Sequence, residues 1–152
     1  MFLEIKGLKK GYGSGDSRTE VLRGIDFCVE KGEFCVLLGP SGSGKSTLLN
    51  IIGGIDNADE GYLSINGEKT EDMTEKALTM YRRKHLGYVF QMYNLIPNLN
   101  VRENIEVGAY LSDKALDIDQ LLKLLGLYEH RFKLPSQLSG GQQQRTSIGR
   151  AI

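Results

Sequence analysis

Gly39-Pro40-Ser41-Gly42-Ser43-Gly44-Lys45-Ser46-Thr47 is the stretch that decides how the rest of the sequence is read. It fits G-x-x-x-x-G-K-[ST]. The continuous apolar run Phe34-Cys35-Val36-Leu37-Leu38 precedes it, and a helix-forming stretch from Lys45 to about Ile52 follows, stopped by Gly53-Gly54. A Gly/Ser-rich turn before a helix is the plain reading. The position between a buried strand and a helix favours a sharper one, in which backbone N–H groups turn inward as an anion nest at glycines that tolerate it. The helix starting at Lys45 then points its positive end at a phosphate tail. Lys45 is placed to reach the β/γ-phosphates as a point charge, and the Ser46 hydroxyl to ligate Mg²⁺.

Working outward, residues 2–8 and 24–30 read as short strands joined by a polar loop from Gly11 to Thr19. Phe34–Leu38 and Leu86-Gly87-Tyr88-Val89-Phe90 are apolar throughout, the pattern of strands buried on both faces of a parallel sheet. Tyr62-Leu63-Ser64-Ile65 is a short strand. Asp72 opens a helix to about Lys84, with Glu75 at the reciprocal capping position. Asn100 caps a helix carrying Val101, Ile105 and Gly108 on one face. Asp117 caps another with Ile118, Leu121, Leu122 and Leu125 as its stripe and Gly126 as its stop. Pro135 ends the loop before a last helix starting near Gly140.

The 152 residues suffice for one core-bearing domain, and 40% apolar with 25% charged is an ordinary globular balance. Lys+Arg and Asp+Glu both number 19, which argues against a free-standing nucleic-acid binder. Arg82-Arg83-Lys84 is too short a run for a nucleic-acid patch and reads as a solvated helix end. No stretch has the apolar length to span a bilayer or the apolar core of a signal peptide, so the cytoplasm is the expected compartment. Cys28 and Cys35 are expected there as reduced, buried small hydrophobes, not as a disulfide or metal pair.

Leu138-Ser139-Gly140-Gly141-Gln142 has a plain reading too: Ser139 caps a helix and Gln142 completes the capping box. Followed by Gln143-Gln144-Arg145 and Gly149-Arg150-Ala151, and downstream of the phosphate loop, it resembles the signature of ABC-type ATPase domains. Ser139, Gly140 and Gly141 put a hydroxyl and unobstructed N–H groups at a helix N-terminus, a second anion-binding feature. The resemblance implies that two domains pair head-to-tail as a dimer, most simply a homodimer, each signature closing on ATP held by the partner's phosphate loop.

The resemblance runs along essentially the whole chain. It implies that Tyr12 is the aromatic that stacks on adenine; a loop tyrosine packed on the sheet is the alternative. Gln91, after Phe90, matches the glutamine that reaches Mg²⁺ and the attacking water and senses a membrane partner; the alternative is a strand-end polar residue. Met92-Tyr93-Asn94-Leu95-Ile96-Pro97-Asn98-Leu99 is rich in apolar side chains, as expected of the groove that receives a permease, or of core packing in the helical lobe. Ala58 stands where relatives often carry Pro, and Thr146, Ser147 and Gly149 replace residues that are usually small and apolar, which weighs on helix stability. Family catalysis also needs an apolar strand ending in Asp-Glu and a switch histidine. Ile51–Asp56 does not supply the former, and His85 and His130, expected to be ordinary partly exposed residues, are not placed as the latter.

The expected fold class is therefore α/β: a P-loop NTPase (RecA-like) core with an antiparallel β subdomain and a helical subdomain, C-terminally incomplete. The expected division is a nucleotide-binding core over 1–91, a helical subdomain over 92–138 and the signature helix over 139–152. Lys45 and Gln91 are the catalytic candidates. Tyr12, Gly39, Ser41, Gly42, Ser43, Gly44, Lys45, Ser46, Thr47 and Gln91 are the candidates for ATP, Ser46 and Gln91 for Mg²⁺, and Leu138–Gln142 for ATP across a dimer. The resemblance further implies an ATPase subunit on the inner face of the cell membrane, working with an integral-membrane permease, with hydrolysis by the full-length protein and little by this span. It is nearest the branch serving lipoprotein release, macrolide export and antimicrobial-peptide resistance. A cell-division relative that transmits force, and a module that binds nucleotide without hydrolysis, are the alternatives. The long coiled-coil or zinc insertions of DNA-repair relatives are missing.

Overall fold

A computed structural model describes every residue except Asp72, Asp113 and Lys114; the expected cap at Asp72 lies outside the described residues. The chain divides into two units, Met1–His85 and Leu86–Ile152.

In the first unit, β1 (Leu3–Tyr12) pairs antiparallel with β2 (Thr19–Val29) and β3 (Glu60–Ile65), and β4 (Glu68–Lys69) adds an edge, giving the order β2-β1-β3-β4. The register sets Leu3 and Ile5 opposite Ile65 and Leu63. Alternation buries Leu3 and Ile5, then slips by one residue so that Leu8 is buried next. The slip coincides with a bulge in both pairings of β1. Both strands of the β1–β2 hairpin run further into the polar loop than the sequence indicates: what reads as loop pairs through Gly11 with Glu20 and Tyr12 with Thr19, leaving a short 3₁₀ turn at Gly15–Ser17.

Helices α1 (Lys45–Ile52) and α2 (Glu75–His85) complete this unit. Leu48, Ile51, Leu78 and Tyr81 are buried. The Tyr81 hydroxyl donates to the Ile52 carbonyl at 2.9 Å and Arg82 donates to the Gly54 carbonyl at 2.6 Å, so α2 satisfies carbonyls that α1 leaves open at its C-terminus. Burial drives the Tyr81 phenol pKa far up. Arg82 is thus engaged, whereas Arg83 and Lys84 are exposed as expected. His85 is partly exposed as a residue, as expected, although its side chain is only 6% exposed, against the Tyr81 ring and 3.3 Å from a Glu68 carboxylate oxygen.

In the second unit, α3 (Val101–Leu111), α4 (Ile118–Leu124) and α5 (Gly140–Ala151) close on a core of Val101, Ile105, Leu121, Leu122, Leu127 and Leu138. The three helix starts read from sequence are present. The Asn100 side chain accepts from the Glu103 amide and the Glu103 side chain from the Asn100 amide; Asp117 accepts from the Gln120 amide; Ser139 and Gln142 form the reciprocal box.

Two strand expectations are corrected. Phe34–Leu38 and Leu86–Phe90 form no strand, and Phe34 and Leu38 are 93% and 88% exposed. A strand exists through a hydrogen-bonded neighbour, and among the described residues the only sheet is the antiparallel one, which neither segment joins. The cysteines are corrected with them: Cys35 lies in the unpaired segment and Cys28 on an outward position of β2, and both are exposed free thiols.

Candidate functional site

The phosphate loop turns on two left-handed glycines, Gly42 at φ +79° and Gly44 at φ +90°. A Cβ at Gly44 would also press on Val21 and Leu22 at 3.0 Å, so neither conformation nor space admits another residue. Gly44 is the N-cap of α1, and the amides of the first helical turn, from Lys45 through Thr47, have no carbonyl a turn earlier to bond. Lys45 folds back over the loop: its ammonium donates to the carbonyls of Gly39 at 2.9 Å and Pro40 at 2.7 Å, with the Ser43 hydroxyl at 3.3 Å. The first helical turn, its dipole and one ammonium are therefore gathered in a loop whose chemistry suits an anion. The Ser46 side chain is exposed at the start of α1, a hard oxygen of the kind Mg²⁺ prefers.

Tyr12 ends β1 with 44% of its surface exposed. Its hydroxyl donates to an Asp56 carboxylate oxygen at 2.6 Å, and Lys10 also reaches Asp56, at 2.9 Å. The hydrogen bond to Asp56, then burial, holds the phenol's pKa above its ordinary value, and a hydrogen bond with the Thr47 side chain pulls the other way. Tyr12 is thereby tied both to the end of the phosphate loop and to the segment after α1. The sequence gives Asp56 no part in this, since it stands in a polar stretch, Asp56-Asn57-Ala58-Asp59-Glu60, that does not single it out.

In the second unit, Gln91 is exposed on a turn. Just after it, Tyr93 and Asn94 adopt left-handed backbones, φ +62° and +46°. Arg150 of α5 donates to both of their carbonyls, at 3.0 Å and 2.5 Å. Burial lowers the Arg150 pKa from its usual value. The apolar stretch is organised from beneath by Asn104, fully buried, which accepts from the Ile96 amide and donates to the carbonyls of Ile96, Leu99 and Asn100. Neither Asn104 nor the Arg150 fork is legible as such from the sequence, since each acts on backbone groups that carry no residue-specific signal.

Leu138 is buried in the core, while Ser139, Gly140 and Gly141 are exposed at the start of α5. Ser139 donates its amide to Gln142 Oε1 at 2.9 Å and accepts the Gln142 amide at 3.3 Å. Thr146 and Ser147 are fully buried, and the Thr146 hydroxyl donates to the Gln142 carbonyl at 2.8 Å, so this substitution is accommodated within the helix. Gly149 packs where a Cβ would lie 2.7 Å from Leu125 and 3.0 Å from Ile105. Its small size serves close packing there.

No helix among the described residues is long and apolar enough to cross a membrane, and no group of three or more described His, Cys, Asp or Glu residues is placed to hold a metal. A family model described as ABC transporter matches residues 22–152. The chain is 49% identical over 153 residues to the ABC transporter ATP-binding protein MG065 homolog of Mycoplasma pneumoniae, covering 99% of this chain and 33% of that protein. It is 45% identical to the bacitracin export ATP-binding protein BceA of Halalkalibacterium halodurans, covering 99% and 61%. The solved dimeric structure of the ATP-binding cassette MJ0796, bound to ADP and Pi, superimposes with a TM-score of 0.90 at 39% identity, covering 99% of this chain and 68% of that one. The chain thus spans less than two thirds of the length of these curated relatives.

Proposed function

The chain belongs to the ABC transporter family, and from that premise we propose that it binds ATP with Mg²⁺ at Gly39–Thr47 as the nucleotide-binding part of an ABC ATPase. The observation that carries this reading is the phosphate loop itself: two left-handed glycines, the start of α1 and the Lys45 ammonium lie together in the one short loop, a combination whose chemistry suits an anion. The amides around Gly42–Thr47 cradle the phosphates, Lys45 exchanges its carbonyl partners for the β/γ-phosphates, and Ser46 offers its hydroxyl to the Mg²⁺, which when bound neutralises the phosphate tail. Tyr12 stacks on the base. Gln91 serves the Mg²⁺ and the attacking water, and Leu138–Gln142 meets the ATP of a second copy in a head-to-tail dimer. The dimeric state named for the MJ0796 cassette supports that last assignment.

In this reading 1–91 is the nucleotide-binding core, 92–138 the helical subdomain and 139–152 the signature helix, of a protein that works at the cytoplasmic face of a membrane with a permease. The export role in the name of BceA supports the branch assignment. In this reading the residues named hold and orient the nucleotide. Lys45→Ala tests the reading: retention on ATP-agarose is expected to vanish, and unchanged retention refutes it. Ser139→Arg in a chain extended to the length of the relatives is expected to keep single-site binding and to block ATP-driven dimers.

A further inference from the structure

A half-exposed tyrosine at the end of a hairpin has several rotamers open to it, yet Tyr12 is held at both ends. At the backbone end, Asp59 accepts from the Gly11 amide at 2.8 Å and from Arg18 across the hairpin at 2.6 Å, while the Asp59 amide donates to the Lys9 carbonyl at 2.9 Å. At the ring end, Asp56 accepts the phenol. Asp56 is itself fixed by its neighbour's amide, Asn57, at 2.8 Å, and by Lys10, which also donates to the Asn57 carbonyl at 2.6 Å and stands 5.2 Å from the Tyr12 ring centroid. The segment reaches this position because the Ile55 and Asp56 amides both donate to the Asn50 carbonyl, folding the chain back along α1 toward the phosphate loop.

We infer that Asp56 is a positioning residue for base selection, fixing the Tyr12 ring so that the site prefers an adenine nucleotide over a bare polyphosphate. The inference rests on the assignment of Tyr12 as the base-stacking aromatic. Asp56 is suited to the part because a carboxylate takes the phenol on one oxygen and the Lys10 ammonium on the other, both bonds charge-assisted. Burial pushes the Asp56 pKa up, but the donors from Tyr12, Lys10 and the Asn57 amide outweigh it and hold the group below the ordinary carboxylate value, so it stays an acceptor at neutral pH. A ring fixed before binding gives up less freedom when a base lands on it.

Calorimetric titration with ATP and with inorganic tripolyphosphate separates positioning from bracing. Asp56→Leu is expected to weaken ATP about tenfold, the scale of one hydrogen bond to a charged group, while tripolyphosphate stays within about twofold. Asp56→Asn, which keeps an oxygen for the phenol, is expected to recover most of the loss. Tyr12→Phe is expected to reproduce the Asp56→Leu effect, and the double variant to add nothing to it. Equal weakening of both ligands in Asp56→Leu, or additive effects with Tyr12→Phe, overturns the inference and leaves Asp56 a brace of the hairpin. Should Asp56→Leu not fold, Tyr12→Phe decides with the tripolyphosphate arm, since it leaves the carboxylate contacts of the hairpin in place but also frees the Thr47 side chain; an unchanged ATP affinity, or equal weakening of tripolyphosphate, overturns the inference. Tyr12→Ala tests the underlying assignment: if ATP preference survives it, stacking by Tyr12 is wrong. If Tyr12→Ala removes the preference and Asp56→Leu does not, stacking stands and the role of Asp56 falls.

Discussion

Replacing Gly108 by alanine sets two effects of opposite sign against each other. Gly108 lies inside α3, where the change on propensity alone gains about 1 kcal/mol. Its Cβ, however, would land on the Arg150 carbonyl of α5: 2.9 Å from the carbonyl carbon, nearer still to the oxygen, and 3.3 Å from the Arg150 Cα. Non-bonded carbons rest at roughly 3.5–4.0 Å, so the two backbones must part by about 1 Å. A side chain in the way can rotate; a helix backbone cannot. Overpacking of this kind costs about 1–3 kcal/mol, and an obstacle made of backbone puts the cost at the upper end, so the net expectation is a loss of about 2 kcal/mol. At an m-value of about 1 kcal/mol/M, the urea midpoint of Leu86–Ile152 should fall by about 2 M, with faster amide exchange in both α3 and α5. Because Arg150 also holds the carbonyls of Tyr93 and Asn94, exchange should quicken in that turn as well. A midpoint at or above that of the unaltered protein would refute the close approach of α3 and α5.

Three further outcomes are expected. Asn104→Leu removes every partner that the fully buried amide gives to Ile96, Leu99 and Asn100; a loss of about 3 kcal/mol or more in chemical denaturation is expected, and a change below 1 kcal/mol, on the same scale, would contradict it. Ser139→Ala deletes the N-cap of α5 and should cost about 1 kcal/mol, read from the same denaturation curves, with Ser139→Asn close to neutral. Asp56 and Asp59 both have folded pKa values depressed below 3.8, so their stabilisation is complete above that value and is lost as pH falls through the folded values; melting temperature should hold its level down to about pH 5 and drop below about pH 4, less steeply in Asp59→Asn, and an Asp59→Asn profile identical to the unaltered protein's would count against the Asp59 contacts.

How much of this was legible in the sequence depends on whether the information was local. The phosphate loop, α1 and the helix starts at Asn100, Asp117 and Ser139 are specified by residues within a few positions of one another, and each is found where the sequence places it. Buried apolar stripes on α3 and α4 are legible for the same reason, since helical periodicity states which face is covered. The runs Phe34–Leu38 and Leu86–Phe90 fail differently. Their apolar composition suits covered strands, but a strand is a relation between two segments; no described segment pairs with either, and Phe34, Val36 and Leu38 are exposed. Polarity misled in the other direction at Gly11–Thr19: a Gly/Ser/Asp-rich stretch reads as loop, yet antiparallel pairing extends through Gly11 and Tyr12 because the hairpin supplies partners on both sides. Asp56 and Arg150 were invisible as organisers because their partners lie far away in sequence, and Asn104 because its partners, though near, are backbone groups that carry no residue-specific signal.

The second unit shows what those long-range contacts accomplish. Gln91 precedes a turn whose two left-handed, non-glycine residues cost free energy to hold, on the order of 1 kcal/mol each. That conformation is held by one guanidinium, which belongs to the helix that Ser139 opens. The close passage of α3 at Gly108 fixes the backbone of that same arginine, and the Asn104 amide, one turn earlier on α3, fixes Ile96 and Leu99 just beyond the turn. The apolar stretch from Met92 to Leu99 is thus clamped at both ends by groups anchored in two packed helices. A displacement of Tyr93 and Asn94 that leaves α5 in place forfeits both arginine hydrogen bonds and strands a partly buried cation, a penalty large enough to favour joint movement. The segment after Gln91 and the helix carrying Ser139, Gly140 and Gly141 are therefore expected to shift together, and the groups that link them, Arg150 and Asn104, act on backbone groups that carry no residue-specific signal.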